Sequence, residues 1–141
     1  MSRATSSFLV DKEFTALASK NLIKKHSVST VADSADDFTS AQYLSGYINC
    51  TGGGADTVTL PTGALLTDAM QNPAAGQAFS CYVINGSGGT LTFAAGASGS
   101  TLVPIPLAAL TLADAAKCKM DFVLTSATAY TCFLFTPTVA T

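Results

Sequence analysis

The chain has 141 residues, 48 % of them hydrophobic and only 11 % charged, with a formal net charge of −2. That length fits one domain that can bury a core without staples, but the charge is far below the roughly 25 % of an ordinary soluble domain. Five of the seven basic residues (Arg3, Lys12, Lys20, Lys24, Lys25) precede His26, and no Lys or Arg follows until Lys117, so the body cannot supply the clustered cations that neutralise a phosphate backbone and a nucleic-acid reader is excluded.

The first 37 residues hold most of the charge and read as an N-terminal arm. Within it Phe14, Leu17, Leu22 and Ile23 have helical spacing, which predicts a short helix over 13–25. Its apolar runs are broken by Asp11, Lys12 and Glu13, so the start does not resemble a signal peptide, and no stretch approaches the ~18 apolar residues of a membrane span. The chain therefore reads as one made in the cytoplasm, and its four cysteines (Cys50, Cys81, Cys118, Cys132), widely spaced and without a C-x-x-C pair, read as small core hydrophobes. Asp33-Ser34-Ala35-Asp36-Asp37 reads as a solvated loop that ends the arm.

From residue 38 onward the pattern is short β-rich runs separated by Gly, Asn and Ser. Strands are predicted over 42–50, 57–60, 78–85, 90–94, 100–103, 109–112, 117–125 and 129–135. Eight such strands suit a jelly-roll-like antiparallel β-sandwich over 38–141. Gly52-Gly53-Gly54 reads as a hairpin connection, because it leads into a strand and has no neighbouring lysine with which to cradle a phosphate. Pro61 ends a strand, and Ala64, Leu65, Leu66, Ala69 and Met70 then follow at near-helical spacing. Thr62 is placed to cap this turn and Asn72-Pro73 to stop it, so one short helix is expected at an end of the sandwich. A hairpin is predicted over 79–93, with Phe79, Cys81 and Val83 on one face and the glycine loop 86–89 at its turn.

The last strand places Tyr130, Cys132 and Leu134 on one face and Thr131, Phe133 and Phe135 on the other, so both sides are greasy. An isolated sandwich should keep its outer face polar. A neighbouring subunit is the economical cover, which makes Tyr130, Phe133 and Phe135 the candidate oligomer interface. The N-terminal arm, or the short helix lying over a central strand, would also serve as cover.

Catalytic chemistry is not legible. His26 is the only histidine, no G-x-S-x-G elbow surrounds a serine, and the cysteines sit singly on predicted strands. Asp33, Asp36 and Asp37 lack the glycine and terminal glutamate of a calcium loop, and no close set of Cys or His ligands occurs. The expectation is a protein that is not an enzyme, with no catalytic residue, cofactor or metal.

Several phrases between residues 38 and 135 carry a resemblance: Tyr43-Leu44-Ser45-Gly46-Tyr47-Ile48, Thr57-Val58-Thr59-Leu60-Pro61-Thr62, Gly76-Gln77-Ala78-Phe79, Tyr82-Val83-Ile84-Asn85 and Thr90-Leu91-Thr92-Phe93-Ala94-Ala95-Gly96. Together they resemble a β-sandwich module of virus and phage structural proteins, of the capsid-associated, decoration, fibre or minor capsid kind. The resemblance implies a virion component that assembles with itself, commonly as a trimer. Residues 1–37 would then be the part available to other capsid proteins. A fibre-tip or carbohydrate-binding module is the alternative it implies.

Overall fold

The computed structural model describes residues 27–107 and 109–137. The helix expected over 13–25 and His26 lie outside them. The described chain is mostly β, in two sheets that share one core. The elements run β1 (Ser27–Val31), α1 (Ser40–Ser45), β2 (Gly46–Cys50), β3 (Gly54–Thr59), α2 (Gly63–Asp68), β4 (Ala78–Asn85), β5 (Gly88–Ala94), β6 (Ser100–Ile105), β7 (Thr111–Leu112), β8 (Lys117–Ser126) and β9 (Ala129–Phe135).

The larger sheet has the order β1-β2-β4-β8-β9-β6 and the smaller β3-β5-β7. The antiparallel arrangement expected from the sequence does not form. β1/β2, β2/β4, β3/β5 and β6/β9 are parallel, and only β4/β8, β5/β7 and β8/β9 are antiparallel. The hairpin expected over 79–93 is also corrected, since β4 belongs to the large sheet and β5 to the small one. Residues 86–87 carry the chain across the core between the layers. Gly52-Gly53-Gly54 does the same between β2 and β3, so it too is a crossing rather than a hairpin.

These crossings stack. Thr51 N donates to Val31 O (2.8 Å), Gly86 N to Cys50 O (2.7 Å), Gly54 N to Ser87 O (2.9 Å), Asn85 N to Ala116 O (2.8 Å) and Ala115 N to Asn85 O (2.7 Å). The side chain of Asn85 sits fully buried among them. Its Nδ2 donates to Gly89 O (2.8 Å) and Leu112 O (2.9 Å), while its Oδ1 accepts from Ser87 N (3.0 Å) and Ser87 Oγ (2.7 Å). Every polar atom of the amide is therefore used, as a buried amide requires, and the bonds aim the chain across the layers instead of back along its own sheet. Gly53 turns with φ of +102°, and a Cβ there would collide with Ser34 N and Oγ, so a side chain is unwelcome on both counts.

The described residues begin inside the stretch expected as an arm. β1 pairs with β2, and Ser34 and Phe38 are buried. Residues 32–37 then run beside β3, where Ser34 N donates to Gly52 O (3.0 Å), Ser34 Oγ to Gly54 O (3.1 Å) and Thr59 N to Asp37 Oδ1 (2.8 Å). They blunt what would be a bare sheet edge.

α1 was not expected, because residues 42–45 read as strand. Thr39 and Gln42 form a reciprocal capping box, Gln42 N donating to Thr39 Oγ1 and Thr39 N to Gln42 Oε1, and Gly46 closes the helix at φ +88°. α2 starts as the sequence indicates, with Thr62 Oγ1 accepting from Leu65 N. The core gathers Ile48, Cys81, Val83, Met120, Phe122 and Leu134 of the large sheet, Val58, Leu91, Phe93 and Leu112 of the small one, Tyr43 of α1 and Leu66 of α2. β6 tolerates Pro104 because it is an edge strand.

Replacing Asn85 with Ala should cost about 3 kcal/mol, because Ser87 N and Leu112 O lose their bonds to the amide and Gly89 O keeps only Ser87 Oγ. Urea denaturation of the variant, with the m-value unchanged, checks this; a loss under ~1 kcal/mol would mean the crossings hold without the amide.

Candidate functional site

Strand alternation divides the large sheet's side chains between its two faces. The inner face is buried against the small sheet and helices. The outer face is open to solvent, and pairing registers align its residues in rows. One row runs Val28–Tyr47–Tyr82–Lys119–Phe135–Ile105, through all six strands. The next runs Ser80–Asp121–Phe133–Val103. Val28 is 64 % exposed, Tyr82 44 %, Ile105 39 % and Phe135 37 %. Four of the six large hydrophobics exposed among the described residues thus fall in one line, which spans about 24 Å at the usual strand spacing. Scattered exposed apolar residues need no explanation, but an aligned file, broken only by Lys119, does.

The sequence-derived interface residues divide between the faces. Phe133 is half-buried and Phe135 exposed on the outer face. Tyr130 points the other way and lies buried in the core, not on the outer face with the two phenylalanines. Its Oη donates to Pro61 O (2.6 Å) and accepts from Ser100 Oγ (3.0 Å), and Ser100 Oγ in turn accepts from Gly96 N (3.1 Å). This relay ties β9, β6 and the entrance to α2 together. Burial, opposed by the Ser100 bond, raises the Tyr130 pKa to about 12.

Sequence reasoning isolated the two phenylalanines but missed the rest of the row. Val28 lay in the expected arm and Tyr82 in the expected hairpin, and only the register brings them beside Phe135. Lys117 and Lys119, the only lysines or arginines among the described residues, also stand on this face, on β8. Lys119 Nζ lies 3.5 Å from Asp121 Oδ1, and Ser80 Oγ donates to the same oxygen at 2.6 Å. Between Tyr82, Lys117, Lys119, Phe135 and Pro137 lies a shallow depression of about 340 Å³.

The interior has the opposite chemistry. All four cysteines are buried and free. Burial pushes the thiols of Cys81 and Cys118 up to about 12, Cys132 further still, and Cys50 upward. Tyr43, wholly buried, has a hydroxyl with no hydrogen-bond partner, and burial followed by the nearby Cys132 and Cys81 raises its pKa far above the usual value. Thiols held protonated in this way are poor nucleophiles. The acidic loop serves backbone groups, its own and those of β3: Asp33 Oδ1 accepts from Ala35 N (3.0 Å) and Asp37 Oδ1 from Thr59 N. Among the described residues no three His, Cys, Asp or Glu side chains are grouped as metal ligands, and no helix is long and apolar enough to cross a membrane.

Comparison of the chain with protein-family models, curated proteins and solved structures gives no match.

The raised thiol pKa values set an alkaline limit. The unfolded chain releases these protons near 9.0, whereas the folded chain holds those of Cys81 and Cys118 to about 12. Their contribution is complete below pH 9 and is lost as pH climbs toward 12. The urea midpoint should therefore fall over that window in the wild type and fall less in a Cys81→Ala/Cys118→Ala variant. Native protein should leave all four thiols unreactive toward Ellman's reagent until denaturant is added; a fast-reacting cysteine would contradict the closed core.

Proposed function

We propose that this protein is a non-enzymatic structural component, a two-sheet sandwich that works by packing against copies of itself through the outer face of its six-stranded sheet. The aligned file of Val28, Tyr47, Tyr82, Phe135 and Ile105, interrupted by Lys119, carries the reading. An apolar line of this length on a chain with so little charge is a liability for a monomer. It becomes useful where a second surface excludes water from it. The resemblance of the phrases between residues 38 and 135 to virus and phage structural modules narrows the reading to a virion protein, capsid-associated or decorative, in a homo-oligomer of three. Residues 1–37 would be available to other particle components, with β1 serving the fold as well.

Changing Phe133 and Phe135 together to Asp places two charges in the middle of that contact. Light scattering or native mass spectrometry should show an oligomer for the wild type and a monomer for the double variant, with the circular dichroism of the two alike. A wild type that is monomeric at micromolar concentration contradicts the proposal.

A second reading has its own observation. The depression beside Tyr82 and Phe135 offers aromatic surface next to Lys117 and Lys119, which suits an acidic sugar with one apolar face. Saturable binding to acidic glycans on an array, lost in Tyr82→Ala, would favour a receptor-binding module; a blank array removes it.

A further inference from the structure

Charge on the described surface is segregated. The outer face of the large sheet holds both cations, Lys117 and Lys119, and one acid, Asp121. Asp33, Asp36, Asp37, Asp56, Asp68 and Asp114 all lie away from it, on loops, α2 and the small sheet. Three of them fall within residues 32–37, the segment that leaves β1 and runs along β3. Asp33, Asp36 and Asp37 are exposed there, and the same flank begins at β1 with Val28, the most exposed member of the apolar row.

A two-fold contact sets a patch against itself. Applied to the outer face with its axis near β8, it would bring Lys117 and Lys119 of one copy toward the same lysines of the other, with a single aspartate on each side to offset them. Turning the face toward a neighbour's flank instead meets lysines with aspartates, and apolar Tyr82, Phe135 and Ile105 with apolar Val28. Like charges brought together disfavour a partner, while complementary ones steer and orient it.

We infer that the contact between copies is heterologous: the β8–β9–β6 part of the outer face of one copy receives the β1 flank, with Val28, Asp33, Asp36 and Asp37, of the next. This inference rests on the assembly reading above and adds which surface of the second copy is used. Unlike patches joined head to tail generate closed rings when the rotation closes, and each copy then has one donor patch and one receiver patch.

Two disabled variants of the full chain test it. Phe133→Asp/Phe135→Asp removes the receiving face. Asp33→Asn/Asp36→Lys/Asp37→Asn reverses the flank's charge, replacing three negative charges with one positive, but keeps the acceptor oxygens that bond Ala35 N and Thr59 N. Each alone should be monomeric in sedimentation velocity, and mixing them should give a one-to-one dimer and nothing larger, because one intact junction remains. Lys117→Ala/Lys119→Ala should weaken wild-type assembly roughly tenfold, and added salt should weaken it too.

An assembled wild type whose flank variant still assembles, or whose two variants do not pair although circular dichroism shows both folded, overturns the inference and leaves the assembly reading standing. Tighter assembly on loss of the lysines would show a self-facing contact and overturn it as well. So would assembly indifferent to Lys117 and Lys119 but lost on Lys20→Ala/Lys24→Ala/Lys25→Ala, which would give the flank to the N-terminal segment. Should either variant misfold, the salt and lysine measurements on the soluble chain decide. A monomeric wild type overturns both readings together.

Discussion

A buried amide organises this fold. Asn85 spends both its donors and its acceptor on three neighbouring segments, at the point where the chain leaves the large sheet for the small one. A polar group in a core is tolerable only when its hydrogen bonds are complete, and completing them here requires the chain to cross. Once β4 crosses to β5, β5 can no longer pair with it and lies beside β3 instead, parallel, as β4 lies beside β2. The crossings then stack on one another through backbone bonds. The parallel registers, the two unequal sheets and the open outer face follow from that arrangement.

Much of the local structure was legible. Alternation located the strands, β9 over its whole length, and Thr62 with Asn72-Pro73 bracketed α2. What failed was pairing. Asn85-Gly86-Ser87-Gly88 contains the residues of a tight turn, and its neighbours alternate as hairpin strands do, so nothing local distinguishes a return from a crossing. The difference lies in Leu112, an acceptor for the Asn85 amide far along the chain, which no window around residue 85 contains. α1 is another kind of miss. The Thr39/Gln42 box was present to be read, but the apolar alternation beyond it was given more weight.

The candidate interface shows the same division between local and non-local information. A greasy outer side at Phe133 and Phe135 follows from alternation alone. Naming Tyr130, on the other face, beside them as an interface candidate left out its relay to Pro61 and Ser100, which depends on α2 and β6 being nearby. Conversely, Val28 and Tyr82 were each unremarkable in sequence. Register across β1, β2, β4, β8, β9 and β6 makes them a line with Phe135 and Ile105. The core, by contrast, takes its cysteines and the unpartnered Tyr43 hydroxyl into a closed interior.

The stacked crossings also bear on how such a chain can change size. β1 with residues 32–37, β2 with β3, and β4 with β5 are successive tiers of one pattern, all climbing in the same direction. A parallel tier meets the same backbone groups above and below, so adding or deleting a whole one disturbs neither the pleat nor the facing of its neighbours, whereas losing one antiparallel strand reverses every strand after it. Length in this architecture is therefore quantised in tiers, and the breadth of the outer face, with however many residues it presents, grows or shrinks by the same step.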